Sequence, residues 1–201
     1  MPETAETLAP EISACGLCAG RFDGTHTAHR PKPVVWLSPR APVLIASRAP
    51  GARAHASGVP FDDTSGDRLR AWLGVDRPTF YDRDSFAILP MAFCFPGYDR
   101  AGSDLPPPPL CAATWRARAL AVQPGVRLTL LIGGHAQRWH LGRAAPSVTA
   151  TVEAWRSFGP DVIPLPHPSW RNTAWLKKHP WFEADLLPVL RARVSKLIAR
   201  R

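Results

Sequence analysis

The sequence lacks any apolar run that approaches the length of a membrane-spanning helix. Such a helix needs about 20 consecutive apolar residues, so we expect no membrane partner. Residues 1–14 are acidic and lack the basic and apolar stretches of a secretory signal, which predicts a cytoplasmic protein. Cysteines in that compartment are usually reduced, catalytic or bound to metal rather than paired.

Lysine is also scarce, because only four of the 25 basic residues are lysine and the rest are arginine. The basic residues outnumber 16 acidic ones, which gives a net charge of +9 and a pI of about 10.3. Such an excess attracts polyanions, of which nucleic acid is the commonest and an acidic membrane surface the alternative. Arginine-rich basicity also arises from GC-rich coding, so charge alone does not identify the partner.

Length and pattern predict one folded domain over residues 15–201, preceded by a flexible segment over residues 1–14. Apolar runs with strand character alternate with amphipathic helical runs. The predicted strands cover residues 42–47, 85–92, 127–132 and 162–165. The predicted helices are one capped by residues 65–67, followed by 112–122, 148–158 and 182–198. This alternation predicts an α/β fold with a parallel sheet covered by helices on both faces.

Loops that follow the strands carry the residues of chemical interest. Ligands of parallel sheets bind beyond the carboxyl ends of the strands. The loop after Ser47, the loop after Ala92 and the turn at His167 each follow a predicted strand. We therefore expect these three segments to converge on one site.

The turn at residues 165–172 combines a histidine, a serine, a tryptophan, an arginine and an asparagine. A histidine such as His167 can donate a hydrogen bond to charge that develops on a leaving group. Ser169 can hold a phosphate, and Trp170 can fill a gap in a base stack. These are the needs of an enzyme that extracts a base from DNA and removes it, although an ordinary proline-rich turn remains the alternative.

The loop at residues 47–66 supplies complementary groups. Gly51 and Gly58 allow the backbone to approach a ligand, and nearby N–H groups can donate to a carbonyl oxygen or an oxyanion. Phe61 either stacks on a flat ring or belongs to the core. His55 either orients a water or is a solvated loop histidine.

Four cysteines form a Cys15/Cys18 pair with two residues between them and a distant pair, Cys94 and Cys111. Four thiolates suit a structural zinc site or a [4Fe–4S] cluster. A redox disulfide and four unrelated reduced cysteines are the other possibilities. Positions in loops beside glycine or proline favour a bound metal centre, and spacing does not separate zinc from iron–sulfur.

Taken together, these motifs resemble those of the uracil-DNA glycosylase superfamily, most closely its iron–sulfur branch, family 4. The resemblance extends over residues 15 to about 190. Near the start of this range, the shared features are the early cysteine pair, the loop at 47–51 and the Gly-x-Pro-Phe run at 58–61 with Ser65-Gly66. Further along, they are two cysteines with sixteen residues between them and the His-Pro-Ser turn. The resemblance implies a three-layer α/β/α sandwich around a short, mainly parallel four-stranded sheet.

The resemblance also implies a role for each matched position. His167 would stabilise negative charge on the departing uracil, and His55 is a candidate for positioning water. The uracil-binding positions are Arg48, Ala49, Pro50, Gly51 and Phe61. The DNA-binding positions are Ser65, Ser169, Trp170, Arg171 and Asn172. The implied [4Fe–4S] ligands, with structural zinc as the alternative, are Cys15, Cys18, Cys94 and Cys111.

Two positions depart from the family pattern. Arg48 stands where the family usually has Glu or Gln, and Pro90 falls where an asparagine reads the edge of uracil. Since proline has no N–H and no amide side chain, direct side-chain readout of uracil is in question. Backbone groups would then read it, or the pocket would accept other deaminated bases.

The sequence therefore predicts a monomeric, monofunctional glycosylase acting on uracil-containing DNA, single- or double-stranded. Its few lysines are not placed to act as a buried amine nucleophile. An inactive, metal-bearing DNA-binding module and an unrelated small-molecule α/β hydrolase are the alternatives.

Overall fold

A short parallel sheet forms the centre of the molecule. The computed structural model describes residues 2–199, so residues 1, 200 and 201, which the sequence analysis assigned to the N-terminal segment and to the domain, lie outside it. The strands are β1 (Val43–Ser47), β2 (Phe86–Pro90), β3 (Leu128–Ile132) and β4 (Val162–Leu165). They lie in the order β2-β1-β3-β4, and every neighbouring pair is parallel. All four predicted strands are confirmed, with ends that differ by at most two residues.

Helices connect and cover these strands. Within residues 2–199 they are α1 (Ala5–Ser13), α2 (Ala19–Asp23), α3 (Ala52–Ser57), α4 (Thr64–Leu73), α5 (Arg77–Phe80), α6 (Pro109–Ala121), α7 (Gly133–Leu141), α8 (Val148–Glu153), α9 (Thr173–Lys178) and α10 (Leu187–Ile198). None of these helices is long and apolar enough to cross a membrane.

The helices form two layers because strand residues alternate between the faces of the sheet. On one face, side chains such as Ile45 and Leu130 pack against apolar residues of α4, α8 and α10. On the other face, Leu44 and Leu89 pack against α1 and α6, and Leu131 packs against α7. The predicted three-layer α/β/α sandwich is therefore confirmed.

The N-terminal segment differs from the flexible one that we expected. Residues 5–13 form α1, in which Leu8 and Ile12 lie four residues apart on one face and are fully buried. Arg118 of α6 forms ion pairs with Glu3 and with Glu11 of α1. The spacing of two apolar residues was the sequence signal for this helix, and its docking on α6 extends the folded part of the chain to Glu3.

Three predicted helices also begin or break differently. α4 is capped by Asp63, whose Oδ1 accepts the Gly66 N–H at 2.9 Å, rather than by residues 65–67. The helix predicted over 148–158 ends at Glu153 and continues as a tighter turn, Trp155–Phe158. The predicted helix 182–198 begins as a wide turn over Phe182–Leu186 and becomes α10.

Candidate active site

A cavity of about 370 Å³ opens at the carboxyl edge of the sheet. Its lining includes residues 47–51 after β1, Pro90 at the end of β2, residues 133–135 after β3 and His167 after β4. The strand ends therefore meet at one place, as the parallel arrangement predicts.

Most of the residues singled out from the sequence line this cavity. Those that do are Arg48, Ala49, Pro50, Gly51, Phe61, Ser65, His167, Ser169, Arg171 and Asn172. Trp170 lies between two lining residues and is 70% exposed, so its ring stands at the rim. His55 does not line the cavity.

His167 is held in a defined state by its own turn. The Ser169 N–H donates to Nδ1 at 3.2 Å, and the Asn172 side-chain amide donates to the His167 carbonyl at 2.7 Å. A nitrogen that accepts an N–H bond carries no proton, so the neutral ring bears its proton on Nε2. Within the described residues no protein group bonds to Nε2. The ring therefore offers one N–H donor to the cavity.

The pKa of His167 is lowered by burial first and by the nearby Arg48 guanidinium second. Asp63 and Asp104 act in the opposite direction, without reversing the shift. Because the pKa falls below its usual value near 6.5, the imidazole is neutral at pH 7. The neutral ring keeps one N–H, on Nε2, with which it can donate a hydrogen bond.

The start of α7 lies beside the His167 turn, and a side chain of this helix bonds to the strand below the turn. Gly133 has a φ of +76°, and a Cβ there would lie 3.6 Å from the His167 Cβ. The buried Gln137 side chain donates to the carbonyl of Leu165 at 3.0 Å and to that of Leu131 at 3.3 Å. These bonds join the ends of β3 and β4 directly beneath the turn.

Phe61 lies in the cavity wall with an unusual backbone conformation. Its φ is +56°, and the Tyr81 hydroxyl donates to its carbonyl at 3.2 Å and to that of Pro60 at 2.9 Å. The ring packs edge-on against Phe80 at a centroid distance of 6.1 Å. Phe61 therefore lines the cavity and also packs against the core, so neither alternative is excluded by its position.

Arg48 closes one side of the cavity. Its guanidinium donates to the carbonyls of Asp104 and Leu105 at 2.6 and 2.7 Å and lies 3.8 Å from the Asp104 carboxylate. Burial lowers the pKa of Arg48, while Asp104 raises it. The side chain therefore joins the loop after β1 to the loop after β2, and it acts only as a donor.

Pro90 lines the cavity at the end of β2, where its side chain has no polar group. Its carbonyl accepts a hydrogen bond from the buried Arg116 at 3.2 Å, and the Leu89 carbonyl accepts another at 2.8 Å. The backbone oxygen at this position is thus already bonded from outside the cavity.

Ser169 and Arg171 of the His167 turn also have partners close by. The Ser169 hydroxyl accepts the Arg171 N–H at 3.3 Å, and the Ser169 carbonyl accepts from Arg68 of α4 at 2.9 Å. The Arg171 guanidinium lies 5.8 Å from the centre of the Trp170 ring. Arg68 therefore ties the exposed tryptophan and its neighbours to α4, close to Ser65.

His55 lies elsewhere, in contrast to the expectation of a catalytic residue. α3 begins after Gly51, so the side chain is directed to a separate aromatic cluster, where its ring lies 5.2 Å from His29 and 5.8 Å from Phe95. Its Nδ1 is buried without a hydrogen-bond partner in the described structure. Burial, followed by His29 and Lys32, lowers its pKa. We therefore assign it no role in the cavity.

The four cysteines line a second, apolar cavity together. Burial raises the pKa of Cys94 to about 12 and that of Cys111 to about 11, and the Phe93 N–H donates to the Cys111 sulfur at 3.4 Å. Cys111 lies in the first turn of α6 rather than in the expected loop. With side chains as they stand in residues 2–199, no group of three or more His, Cys, Asp or Glu meets the geometry of a metal site.

Three titratable cavity residues were not predicted from the sequence, namely Asp63, Asp104 and His135. His135 follows β3, and applying the strand-end rule to that loop would have found it. In the sequence, Asp63 has the pattern of an ordinary helix cap, and this pattern does not show that its second carboxylate oxygen faces the cavity. Asp104 lies at the cavity because it pairs with Arg48, and no local sequence pattern predicts that contact.

A comparison with protein-family models matches residues 35–191 to the model described as the uracil DNA glycosylase superfamily. The chain belongs to the uracil DNA glycosylase superfamily. The match covers every strand of the sheet and the entire His167 turn. Membership indicates a DNA glycosylase that acts on damaged bases and favours this activity over an unrelated small-molecule hydrolase.

Proposed function

We propose that this superfamily member hydrolyses the N-glycosidic bond of uracil in DNA and leaves an abasic site. The observation that carries the proposal is the neutral His167, whose Nε2–H is free in a cavity that Phe61 also lines. A base inside a duplex is out of reach of such a cavity, so the nucleotide would be flipped out of the stack.

Breaking the bond between C1′ and the base leaves positive charge on the sugar and negative charge on the base. The Nε2–H of His167 donates to the oxygen where that negative charge develops, and the backbone N–H groups of Ala49 and Gly51 add further donors. Phe61 stacks on the base and holds its plane. DNA phosphates stabilise the positive sugar.

The flipped strand is held at the rim of the cavity. Ser65 and Ser169 are the proposed phosphate contacts, with Arg171 and Asn172 beside them. Trp170 fills the vacated stack, because its ring is exposed while its turn is tied to α4 through Arg68. The net charge of +9 supports binding to a polyanion.

The reaction proposed is simple hydrolysis without a covalent amine intermediate. A lyase step needs a lysine or another amine in the site. None of the four lysines in the described chain lines the cavity, and Lys32 donates to the Ala56 carbonyl at 2.7 Å. This supports a monofunctional glycosylase.

Few side-chain amides in the cavity are available to read the hydrogen-bonding edge of the base. Pro90 has none, and the Asn172 amide nitrogen is used on the His167 carbonyl. Backbone groups at 49–51 would therefore contact the edge of uracil. Because backbone contacts discriminate less sharply, we expect other deaminated bases to be released as well.

The cysteine cavity is the proposed site of a [4Fe–4S] cluster, with structural zinc as the alternative. Support comes from the donor set, since Cys15, Cys18, Cys94 and Cys111 are brought into one apolar cavity from distant parts of the chain. Four thiolates suit either centre. The bound group would join the segment around α1 and α2 to the sheet and has no part in the hydrolysis.

A panel of oligonucleotides tests this function. Single- and double-stranded DNA with one uracil, hypoxanthine or xanthine is incubated with the protein, and free base and abasic sites are measured. We expect uracil release by the wild-type protein and none by His167→Ala. DNA that is bound but never cut would instead indicate an inactive binding module.

A further inference from the structure

Two carboxylates line the cavity, Asp63 and Asp104, and Asp104 is paired with Arg48. Asp63 lines the cavity, and its Oδ1 is occupied by the Gly66 N–H at the start of α4. Its Oδ2 has no hydrogen-bond or ion-pair partner among the described residues. This oxygen lies over the loop after β1, because a Cβ built on Gly51 would be 3.7 Å from it.

Apart from His135, the other titratable groups of the lining are poorly suited to accept a proton from water. Asp104 is engaged with Arg48, which also binds its carbonyl. Arg48 is only a donor, and His167 already offers its one free N–H. Asp63 is therefore the one carboxylate of the described lining that has no cation beside it.

Asp63 is also near the proposed leaving-group donor. Its charge acts on His167 in the direction opposite to burial and to Arg48. Both side chains therefore face the same cavity. His167 would act on the departing base, and the Asp63 carboxylate is available on the sugar side of the glycosidic bond.

We propose that Asp63 is a catalytic residue whose Oδ2 orients the attacking water and accepts its proton. This inference rests on the proposed glycosylase function. The water oxygen bonds to C1′ while the C1′–N bond breaks. The electron pair of the C1′–N bond leaves with the base. One water proton passes to Asp63 and then to solvent, and the base anion, held by His167, takes a proton from solvent.

The chain offers closely matched variants for the test. Asp63→Asn keeps an oxygen that caps α4 but removes the proton acceptor, and Asp63→Ser keeps only the capping oxygen. Asp62→Asn is the control, because Asp62 pairs with Arg77 at 2.8 Å and does not line the cavity. Single-turnover release of uracil, DNA affinity and melting temperature are measured for each protein.

We expect Asp63→Asn and Asp63→Ser to release uracil on the order of 100-fold more slowly or worse, with DNA affinity unchanged. Asp62→Asn should match the wild-type rate within about twofold, because only a group at the reacting atoms has an effect of this size. Formate should restore part of the rate of Asp63→Ser, since it replaces the missing carboxylate.

Three results would overturn the proposal. Wild-type rates in either Asp63→Asn or Asp63→Ser would exclude a proton acceptor at this position. Rates that follow melting temperature across the variants, with no rescue by formate, would indicate a helix cap only. A wild-type protein that releases no base would instead reject the glycosylase function and this role together.

Discussion

His167 has its useful chemical state because of its immediate neighbours. The Ser169 N–H selects the tautomer, and burial together with Arg48 keeps the ring neutral. A protonated ring would lose the bond from Ser169, because Nδ1 would then be a donor that faces another donor. The sequence motif supplies the histidine, and the fold around it supplies its proton state.

Gly66 determines where Phe61 lies. A Cβ at Gly66 would lie 1.8 Å from the Phe61 carbonyl oxygen, so no side chain fits there without moving the loop. We expect Gly66→Ala to lower the free energy of unfolding by about 1–3 kcal/mol and to slow base release, since the displaced ring no longer faces the base.

Urea unfolding and single-turnover excision measure these two effects. Gly20→Ala is the matched control, because it is also a helical glycine but has no atom within 4 Å of an added Cβ. If Gly66→Ala unfolds and reacts like the wild type, Phe61 is not held in the manner described.

At the scale of elements, a pair formed by the buried Arg116 and the partly buried His140 joins α6, α7 and the end of β2. Arg116 of α6 donates to the carbonyls of Leu89 and Pro90 and lies 2.6 Å from the His140 Nε2 of α7. Burial lowers the pKa of Arg116 to about 10, and burial followed by Arg116 lowers that of His140 to about 4. His140 is therefore neutral and accepts from the guanidinium.

This pair makes stability depend on pH. The unfolded chain takes up a proton on His140 near pH 6.5, whereas the folded chain does so only near pH 4. Stability is thus complete above pH 6.5 and is lost as the pH falls towards 4, by about 2 kcal/mol after allowance for partial exposure.

Urea unfolding at pH 7.5 and at pH 4.5 measures this loss. His140→Gln keeps an acceptor for Arg116 but does not titrate, so its stability should fall by less over the same interval. Equal pH dependence in both proteins would remove His140 as the cause.

Element-scale features were predictable where a local pattern decides them. Strands such as β1 and β4 are continuous apolar runs, and their ends follow from the sequence. α7 was missed because it begins at Gly133-Gly134, which resembles a turn rather than a helix start. The position of His55 depends on where α3 begins and on which aromatic residues lie beside it, and that is settled by tertiary packing.

The site was predictable for similar reasons. His167 was singled out from the chemistry of its own turn, whereas the role of Phe61 followed only from the resemblance to the family. Asp63 and Gln137 act through an oxygen or an amide whose direction only the folded chain determines. The contact of Arg48 with Asp104 joins residues far apart in sequence, so no window of the sequence reveals it.

At the scale of the whole molecule, the cysteines connect the start of the chain to the sheet. If they hold a cluster, protein prepared without oxygen should be brown and contain four iron atoms per chain. Cys94→Ser should lose iron and melt at a lower temperature, since a bound centre stabilises only the folded state. One zinc per chain would support the alternative, and metal-free protein would contradict both.

The glycosylase assignment depends on the cavity as a unit, with His167 as its most defined member. The most direct test is the single-turnover rate of uracil release from a DNA strand by the wild-type protein and by His167→Ala. We predict release by the wild type and a loss on the order of 100- to 1000-fold in the variant, the cost typical of one missing donor at a developing charge. Equal rates, or no release by the wild-type protein from either single- or double-stranded DNA, would contradict the account.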